Sequence, residues 1–159
     1  IVEGPINNKN LVTEVCWQDE LLLVTPPDHA LAGPKPVRPD EIMQYPFISR
    51  EEGSGTRQVI SEYLTENKLS FSDMNLAMEF GSSESIKSAV AAGLGISILS
   101  IATLDKELSL GLLENTSLTP SLKRPFTTVY QKQKFRIRAM EEFLIFVKDQ
   151  IDAVSLGDG

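Results

Sequence analysis

A chain of 159 residues with 42% hydrophobic content is long enough to fold around one apolar core, which excludes an intrinsically disordered segment. Acidic residues outnumber basic ones by 22 to 15, and the net charge of −7 excludes a nucleic-acid surface on this chain, because phosphate contacts need clustered Lys and Arg. The chain has one cysteine and no apolar run near the roughly 20 residues that cross a bilayer, which predicts a cytoplasmic protein with no membrane segment.

Strand and helix patterns alternate in the first half of the chain. IVEGP at the start is typical of a strand end entering a turn. The apolar run of DELLLVTPP (19–27) stops at two prolines and predicts a strand buried on both faces of a parallel sheet. After a proline-rich loop, YPFIS (45–49) predicts a second strand, and apolar spacing predicts a helix over 56–68.

The same unit is then repeated. NLAMEF (75–80) predicts a strand, GSSE (81–84) a turn and cap, and the next helix is expected to end at Gly93, since glycine adopts the left-handed conformation without penalty. LGISILS (94–100) and RPFTTVYQ (124–131) predict further strands, and an apolar stripe predicts a terminal helix over 136–152. The alternation predicts an α/β fold whose sheet is parallel or mixed.

Two turns, EEGSGTR (51–57) and GSSES (81–85), join a strand to a helix and are expected at the same sheet edge, where ligands of such folds bind. Helix amino ends offer unpaired amides and partial positive charge, and the hydroxyl groups in these turns would add donors for an anion or polar ligand. The added hydroxyls belong to Ser54, Thr56, Ser82 and Ser83. The same residue types are also ordinary N-caps and turn residues.

Arg57 lies in the first turn of its predicted helix, where a cation opposes the helix dipole by about 0.3–1 kcal/mol. A negative partner is therefore expected. Either a ligand carboxylate or a nearby acid, Glu51 or Glu52, would supply it.

No enzyme motif is present. GSGTR lacks the lysine of a phosphate loop, and GLGISI (93–98) lacks the last glycine of a dinucleotide fingerprint. The only histidine, His29, and the only cysteine, Cys16, complete no metal cluster and no nucleophile–base pair in the sequence. We therefore predict no catalytic residues, no metal and no cofactor, with Cys16 either a small buried apolar residue or a residue without a functional role.

The order of these motifs resembles the C-terminal effector-binding domain of LysR-type transcriptional regulators over nearly the whole chain. The segments that carry the resemblance are DELLLVTPPDHALA, YPFISREEGSGTR, FGSSESIKSAVAAGLGISILS, GLL and RPFTTVYQKQKFRIRAMEEFLIFV, and IKSAVAAGLGISILS is the most specific part. The resemblance implies the two-lobed fold of type II periplasmic binding proteins, with a mixed sheet, helices on both faces and a small, usually anionic, inducer between the lobes. Matched position by position, its inducer contacts fall on Ser54, Gly55, Thr56, Arg57, Ser82, Ser83 and Glu3.

The resemblance also implies a domain plan. Residues 20–124 would form the complete second lobe, 1–19 a remnant of the first lobe with a crossover strand, 125–152 the return strand with a C-terminal helix packing on the first lobe, and 153–159 a tail. Because the chain opens on Ile1 rather than Met, we expect a fragment that lacks most of the first lobe and the N-terminal winged helix-turn-helix.

The function implied is that of an effector sensor in a homodimeric or tetrameric regulator. The effector would change the arrangement of the subunits, which reach operator DNA only through the missing winged helix-turn-helix. A solute-binding protein of a transporter and an enzyme of the same fold are the alternatives. Sulfate-like anions, carboxylates and amino acids all remain open as effectors, since Glu3 would repel an anion or require a cationic group.

Overall fold

The computed structural model describes residues 2–3, 11–131, 138, 142–143 and 145–146. The chain divides into two compact units, one of Asp19–Arg124 and one of Ile1–Gln18 with Pro125–Gly159. Of the predicted helix over 136–152, only residues 138, 142–143 and 145–146 are described. The predicted burial of Cys16 lies outside the described side chains. No helix within the described ranges is long and apolar enough to cross a membrane.

Strands and helices alternate as the sequence predicts, with several short elements added. The strands are β1 (Val2–Glu3), β2 (Leu11–Thr25), β3 (Phe47–Arg50), β4 (Leu76–Phe80), β5 (Ser97–Ser100), β6 (Glu114–Thr116) and β7 (Leu122–Gln131). The helices are α1 (Pro39–Ile42), α2 (Gly55–Glu66), α3 (Ser83–Ala91) and α4 (Asp105–Ser109), with short 3₁₀ turns at Phe71–Asp73 and Ile101–Thr103. The proline-rich loop therefore contains the short helix α1, which was not predicted.

The sheet is mixed, so the predicted fold class is confirmed, but the direction predicted for β2 is wrong. β2 pairs antiparallel with β5, from Leu21 opposite Ser100 to Val24 opposite Ser97, and also with β6. Among the described strands, β3 and β4 form a parallel pair, and an isolated parallel bridge joins Phe47 of β3 to Ile96, which precedes β5. An apolar run reports that both faces of a strand are covered and carries no information on strand direction, which is why β2 was misjudged.

Helices cover both faces of the sheet in the Asp19–Arg124 unit. Neighbouring residues of a strand point to opposite faces, and Phe47 and Ile48 accordingly belong to two different core clusters although both are fully buried. α2 contributes Ile60 and Leu64 to the Phe47 cluster, and α3 contributes residues that include Ile86 to the Ile48 cluster. α2 and α3 therefore cover opposite faces of the strand β3.

The turn from α3 to β5 passes very close to the segment before β3. A Cβ atom on Gly95 would lie 2.5 Å from the backbone oxygen of Pro46. The next residue, Ile96, donates from its amide to that same oxygen at 2.9 Å. Only glycine fits at position 95 without moving the backbone.

A buried ion cluster joins α3 to α4. Lys87 is 5% exposed, and its ammonium donates to Glu107 Oε2 at 3.0 Å, to the Thr103 carbonyl at 2.8 Å and to Glu84 Oε1 at 2.8 Å. Burial by itself lowers the pKa of Lys87. The hydrogen bonds with Glu84 and Glu107 raise it by more than burial lowers it, so the pKa of Lys87 lies above its usual value. The lysine therefore stays charged and holds the two helices together.

Candidate functional site

The two predicted ligand turns begin at the same edge of the sheet. We call residues 54–57 the α2 turn and residues 81–83 the α3 turn. The last residues of β3 and β4, Arg50 and Phe80, are partners in the parallel register. The amide of Glu51 donates to the carbonyl of Phe80 at 3.2 Å, so the segment leading to α2 starts beside the segment leading to α3. The common edge expected from the sequence is thus present.

Ser54, the residue before α2, carries a hydroxyl with no partner. It is buried with 9% exposure, its backbone is extended, and its carbonyl accepts the first helical bond from the Gln58 amide at 3.0 Å. A serine at this position normally also accepts a bond from a helix amide through its side chain. Ser54 makes no such bond, and its hydroxyl contacts no donor or acceptor in the described part of the chain. This hydroxyl and the unpaired first-turn amides of α2 can therefore serve a ligand.

Thr56 belongs to a buried polar network that sequence reasoning missed. Arg124 donates from Nη1 to Thr56 Oγ1 at 3.1 Å and from Nε to Asp19 Oδ2 at 2.8 Å. Ser100 donates from its hydroxyl to Asp19 Oδ1 at 2.8 Å. The four residues are far apart in the sequence, so no local pattern signals their association. Together they tie the first turn of α2 to β2, to β7 and to the end of β5.

Arg57 is held by groups of the protein itself. Its guanidinium pairs with Glu79, donates to the Arg50 carbonyl at 3.3 Å, and lies 4.8 Å from the centre of the Phe71 ring. The interaction with an aromatic face and a carboxylate explains why a cation is stable at this helix start. The presence of Arg57 is therefore no longer evidence for a ligand by itself.

The predicted acid partner of Arg57 is wrong. The sequence suggested Glu51 or Glu52, but Glu51 pairs with Arg50, and this hydrogen bond holds the pKa of Glu51 below its usual value. Glu79 reaches Arg57 because β3 and β4 run parallel and side by side. Such a partner depends on strand pairing and is invisible to local sequence spacing.

The α3 turn is an ordinary helix cap. Ser82 precedes α3, is exposed, and accepts from the Ser85 amide at 3.2 Å. Its hydroxyl also lies 2.9 Å from the Ser85 hydroxyl. Ser83 is the first residue of the helix and is half-buried. The hydroxyl of Ser82 is thus occupied, in contrast to that of Ser54.

A cavity of about 470 Å³ lies along one side of α2. Its lining consists of Glu52, Gly53, Ser54, Arg57, Gln58, Ser61, Glu62 and Phe71. Thr56 lies on the buried side of the same helix, together with Ile60 and Leu64. The cavity and the α2 turn therefore share Ser54 and Arg57, while Gly55, Thr56, Ser82 and Ser83 do not line it.

Glu3 belongs to a different unit of the chain from the other predicted contacts. It lies in β1, opposite Phe126 of β7 in an antiparallel pair. Both residues belong to the unit of Ile1–Gln18 and Pro125–Gly159, whereas the other six predicted contacts belong to the Asp19–Arg124 unit.

His29 has a structural environment. Its Nδ1 accepts from the Leu31 amide at 3.1 Å, its ring meets the Tyr45 ring edge-on, and burial lowers its pKa. Among the residues described, no group of three or more His, Cys, Asp or Glu side chains could hold a metal ion.

With this geometry in hand, comparison with known proteins gives the family. The sequence profile of the LysR substrate binding domain matches residues 1–152. The chain belongs to the LysR family. The Synechocystis CcmR regulatory domain in complex with 2-PG superposes with a TM-score of 0.82 at 27% identity, over 94% of this chain and 71% of that one. The type II periplasmic-binding-protein-like fold that the resemblance implies is thereby confirmed.

Sequence relatives are transcriptional regulators. The uncharacterized HTH-type regulator YeiE of Escherichia coli is 35% identical over 144 residues, which are 90% of this chain and 48% of YeiE. The HTH-type transcriptional activator CmpR of Synechocystis is 33% identical over 153 residues, or 96% of this chain and 49% of CmpR. The chain thus spans about half the length of the curated relatives it matches.

Proposed function

We propose that this chain is the effector-sensing part of a LysR-type transcriptional regulator and that it binds a small anion at the α2 turn. In this proposal residues 20–124 are the second lobe, and residues 1–19 and 125–152 belong to the first. The effector stabilises one arrangement of the subunits of a cytoplasmic homodimer or tetramer on operator DNA. DNA is contacted by a winged helix-turn-helix of the full-length regulator, since this chain carries net negative charge.

The observation that carries the proposal is the unpaired hydroxyl of Ser54. Ser54 is 9% exposed as a residue, and a serine at a helix start normally caps the helix with its side chain, but Ser54 makes no cap bond, so its hydroxyl is available to a ligand. The first-turn amides of α2 and the positive end of its dipole face the same region. A bound anion would accept from these donors together, which explains why the cap bond is absent.

Sulfate, inorganic phosphate and 2-PG are the probes for the effector class. 2-PG is bound in the regulatory domain of CcmR, whose fold this chain shares. Sulfate and phosphate test whether a compact oxyanion suffices at a helix start.

The edge strand β4 supports the proposed self-association. Within the described residues β4 pairs only with β3, and Leu76 and Met78, which point to one face, are 41% and 37% exposed. An unpaired edge with exposed apolar side chains is a surface suited to another chain. We propose that a second copy of this chain covers it.

Isothermal titration calorimetry of the chain with each probe tests the anion site. Ser54→Ala is expected to weaken binding about tenfold, because it removes a hydrogen bond to a charged group. Ser61→Ala is the matched control, since Ser61 lies on the same helix and lines the cavity without belonging to the α2 turn. We expect its affinity to stay within about twofold of the unmodified chain.

Two results would contradict the proposal. If none of the probes binds, the chain is not a sensor of small oxyanions. If Ser61→Ala weakens binding and Ser54→Ala does not, the anion occupies the cavity along α2 and not the helix start.

A further inference from the structure

We propose that Arg124 is a positioning residue for the anion site, acting through the hydroxyl of Thr56. This inference rests on the proposed function, and it assigns a role to a residue outside the α2 turn. Arg124 is 5% exposed and Thr56 is 8% exposed, so their hydrogen bond is shielded from water.

The direction of this bond fixes where the Thr56 proton points. A guanidinium has only donors, so the Thr56 oxygen must be the acceptor in its bond with Arg124. The proton of the hydroxyl is then directed away from Arg124. No acceptor for it exists among the residues that the structure describes.

Two other helical hydroxyls among the described residues donate to a backbone carbonyl. Thr65 donates to the carbonyl of Ser61 at 2.9 Å, and Ser88 donates to the carbonyl of Glu84 at 3.0 Å. Each uses the helical carbonyl four residues earlier. Thr56 is the second residue of α2, so the residue four positions earlier lies outside the helix. Its proton therefore has no helical carbonyl to bond and is left for a group in front of the helix.

The charge of Arg124 makes this donor stronger. A hydroxyl that accepts a bond from a cation becomes a better donor on its other side, because consecutive hydrogen bonds polarise one another. Asp19 keeps the guanidinium in place through Nε, and Ser100 in turn holds Asp19. Arg124 thus orients and polarises Thr56 without touching the ligand itself.

A double-mutant cycle on sulfate affinity, measured by calorimetry on the 159-residue chain, tests the proposal. Thr56→Val keeps the side-chain shape and removes the hydroxyl, and we expect about tenfold weaker binding. Thr56→Ser restores the hydroxyl and is expected to bind within about twofold of the unmodified chain. Arg124→Lys keeps the charge next to Asp19 but loses the planar fork that reaches Thr56, and we expect about a three- to tenfold loss.

The decisive expectation is that Arg124→Lys causes no additional loss in the T56V background, because its effect passes through the Thr56 hydroxyl. A purely structural Arg124 would lower the melting temperature in both backgrounds and leave sulfate affinity unchanged. If Arg124→Lys does not fold, the same cycle is run with D19N/R124Q, which removes both buried charges together.

The outcomes separate the inference from the function on which it rests. Equal losses from Arg124→Lys in both backgrounds, or no loss in either, overturn the role of Arg124. Binding that depends on Ser54 but not on Thr56 overturns it as well and leaves the anion site in place. Absence of sulfate, phosphate and 2-PG binding to the unmodified chain overturns both.

Discussion

Replacing the two serines that precede α2 and α3 should have opposite consequences for stability and for binding. Ser82→Ala removes a side chain that accepts from the Ser85 amide at 3.2 Å, and the loss of such a cap costs about 1 kcal/mol. For a chain of 159 residues this is a fall in melting temperature of about 2–4 °C. Ser54→Ala removes a hydroxyl that caps nothing, and we expect a change below about 0.5 kcal/mol.

In saturating sulfate, Ser54→Ala should become the less stable of the two variants. A ligand present at about 100 times its Kd stabilises the folded chain by about 2.7 kcal/mol. The Ser82→Ala variant should gain this in full, whereas Ser54→Ala should gain clearly less at the same sulfate concentration. Urea unfolding followed by far-UV circular dichroism, with and without sulfate, measures both effects.

One result would refute the reasoning. If Ser54→Ala destabilises the ligand-free chain as much as Ser82→Ala does, the Ser54 hydroxyl is an ordinary cap in solution. The unpaired donor that carries the proposed function would then not exist.

Three further predictions concern stability. Lys87→Met should destabilise the chain by about 3–5 kcal/mol in urea titrations, because Glu107 keeps its charge without a partner, and adding Glu107→Gln should recover part of the loss. Burial lowers the pKa of His29, so the unfolded chain binds a proton more readily than the folded chain. The free energy of unfolding should therefore fall as the pH drops below about 6.5. His29→Gln should weaken this pH dependence in unfolding experiments between pH 5 and 8. Gly95→Ala should destabilise the chain by about 1–3 kcal/mol in calorimetry, because the added methyl would lie 2.5 Å from a backbone oxygen. At Gly81 nothing lies within 4 Å of an added methyl, and Gly81→Ala should change the stability by less than about 1 kcal/mol. Equal effects of the two substitutions would contradict the close approach at Gly95.

The common sheet edge of the two turns was predicted from the sequence, and the contacts around the turns only in part. Turns after neighbouring strands were placed at one sheet edge from residue types and spacing alone, and the α2 and α3 turns lie there. Whether each serine hydroxyl makes a cap hydrogen bond was not predictable from the sequence. Ser54 and Ser82 are both serines that directly precede a helix, yet Ser82 caps its helix and Ser54 does not.

The sequence by itself determined the alternation of strands and helices, the buried runs and the helix starts, because these depend on spacing within a few residues. It also carried the LysR resemblance, in the stretch from α3 into β5. Only the tertiary structure decided the antiparallel pairing of β2 with β5, the choice of Glu79 as the partner of Arg57, and the contact of Arg124 with Thr56. Each of these joins residues distant in the chain, and their meeting depends on the packing of the whole unit, which no local pattern encodes.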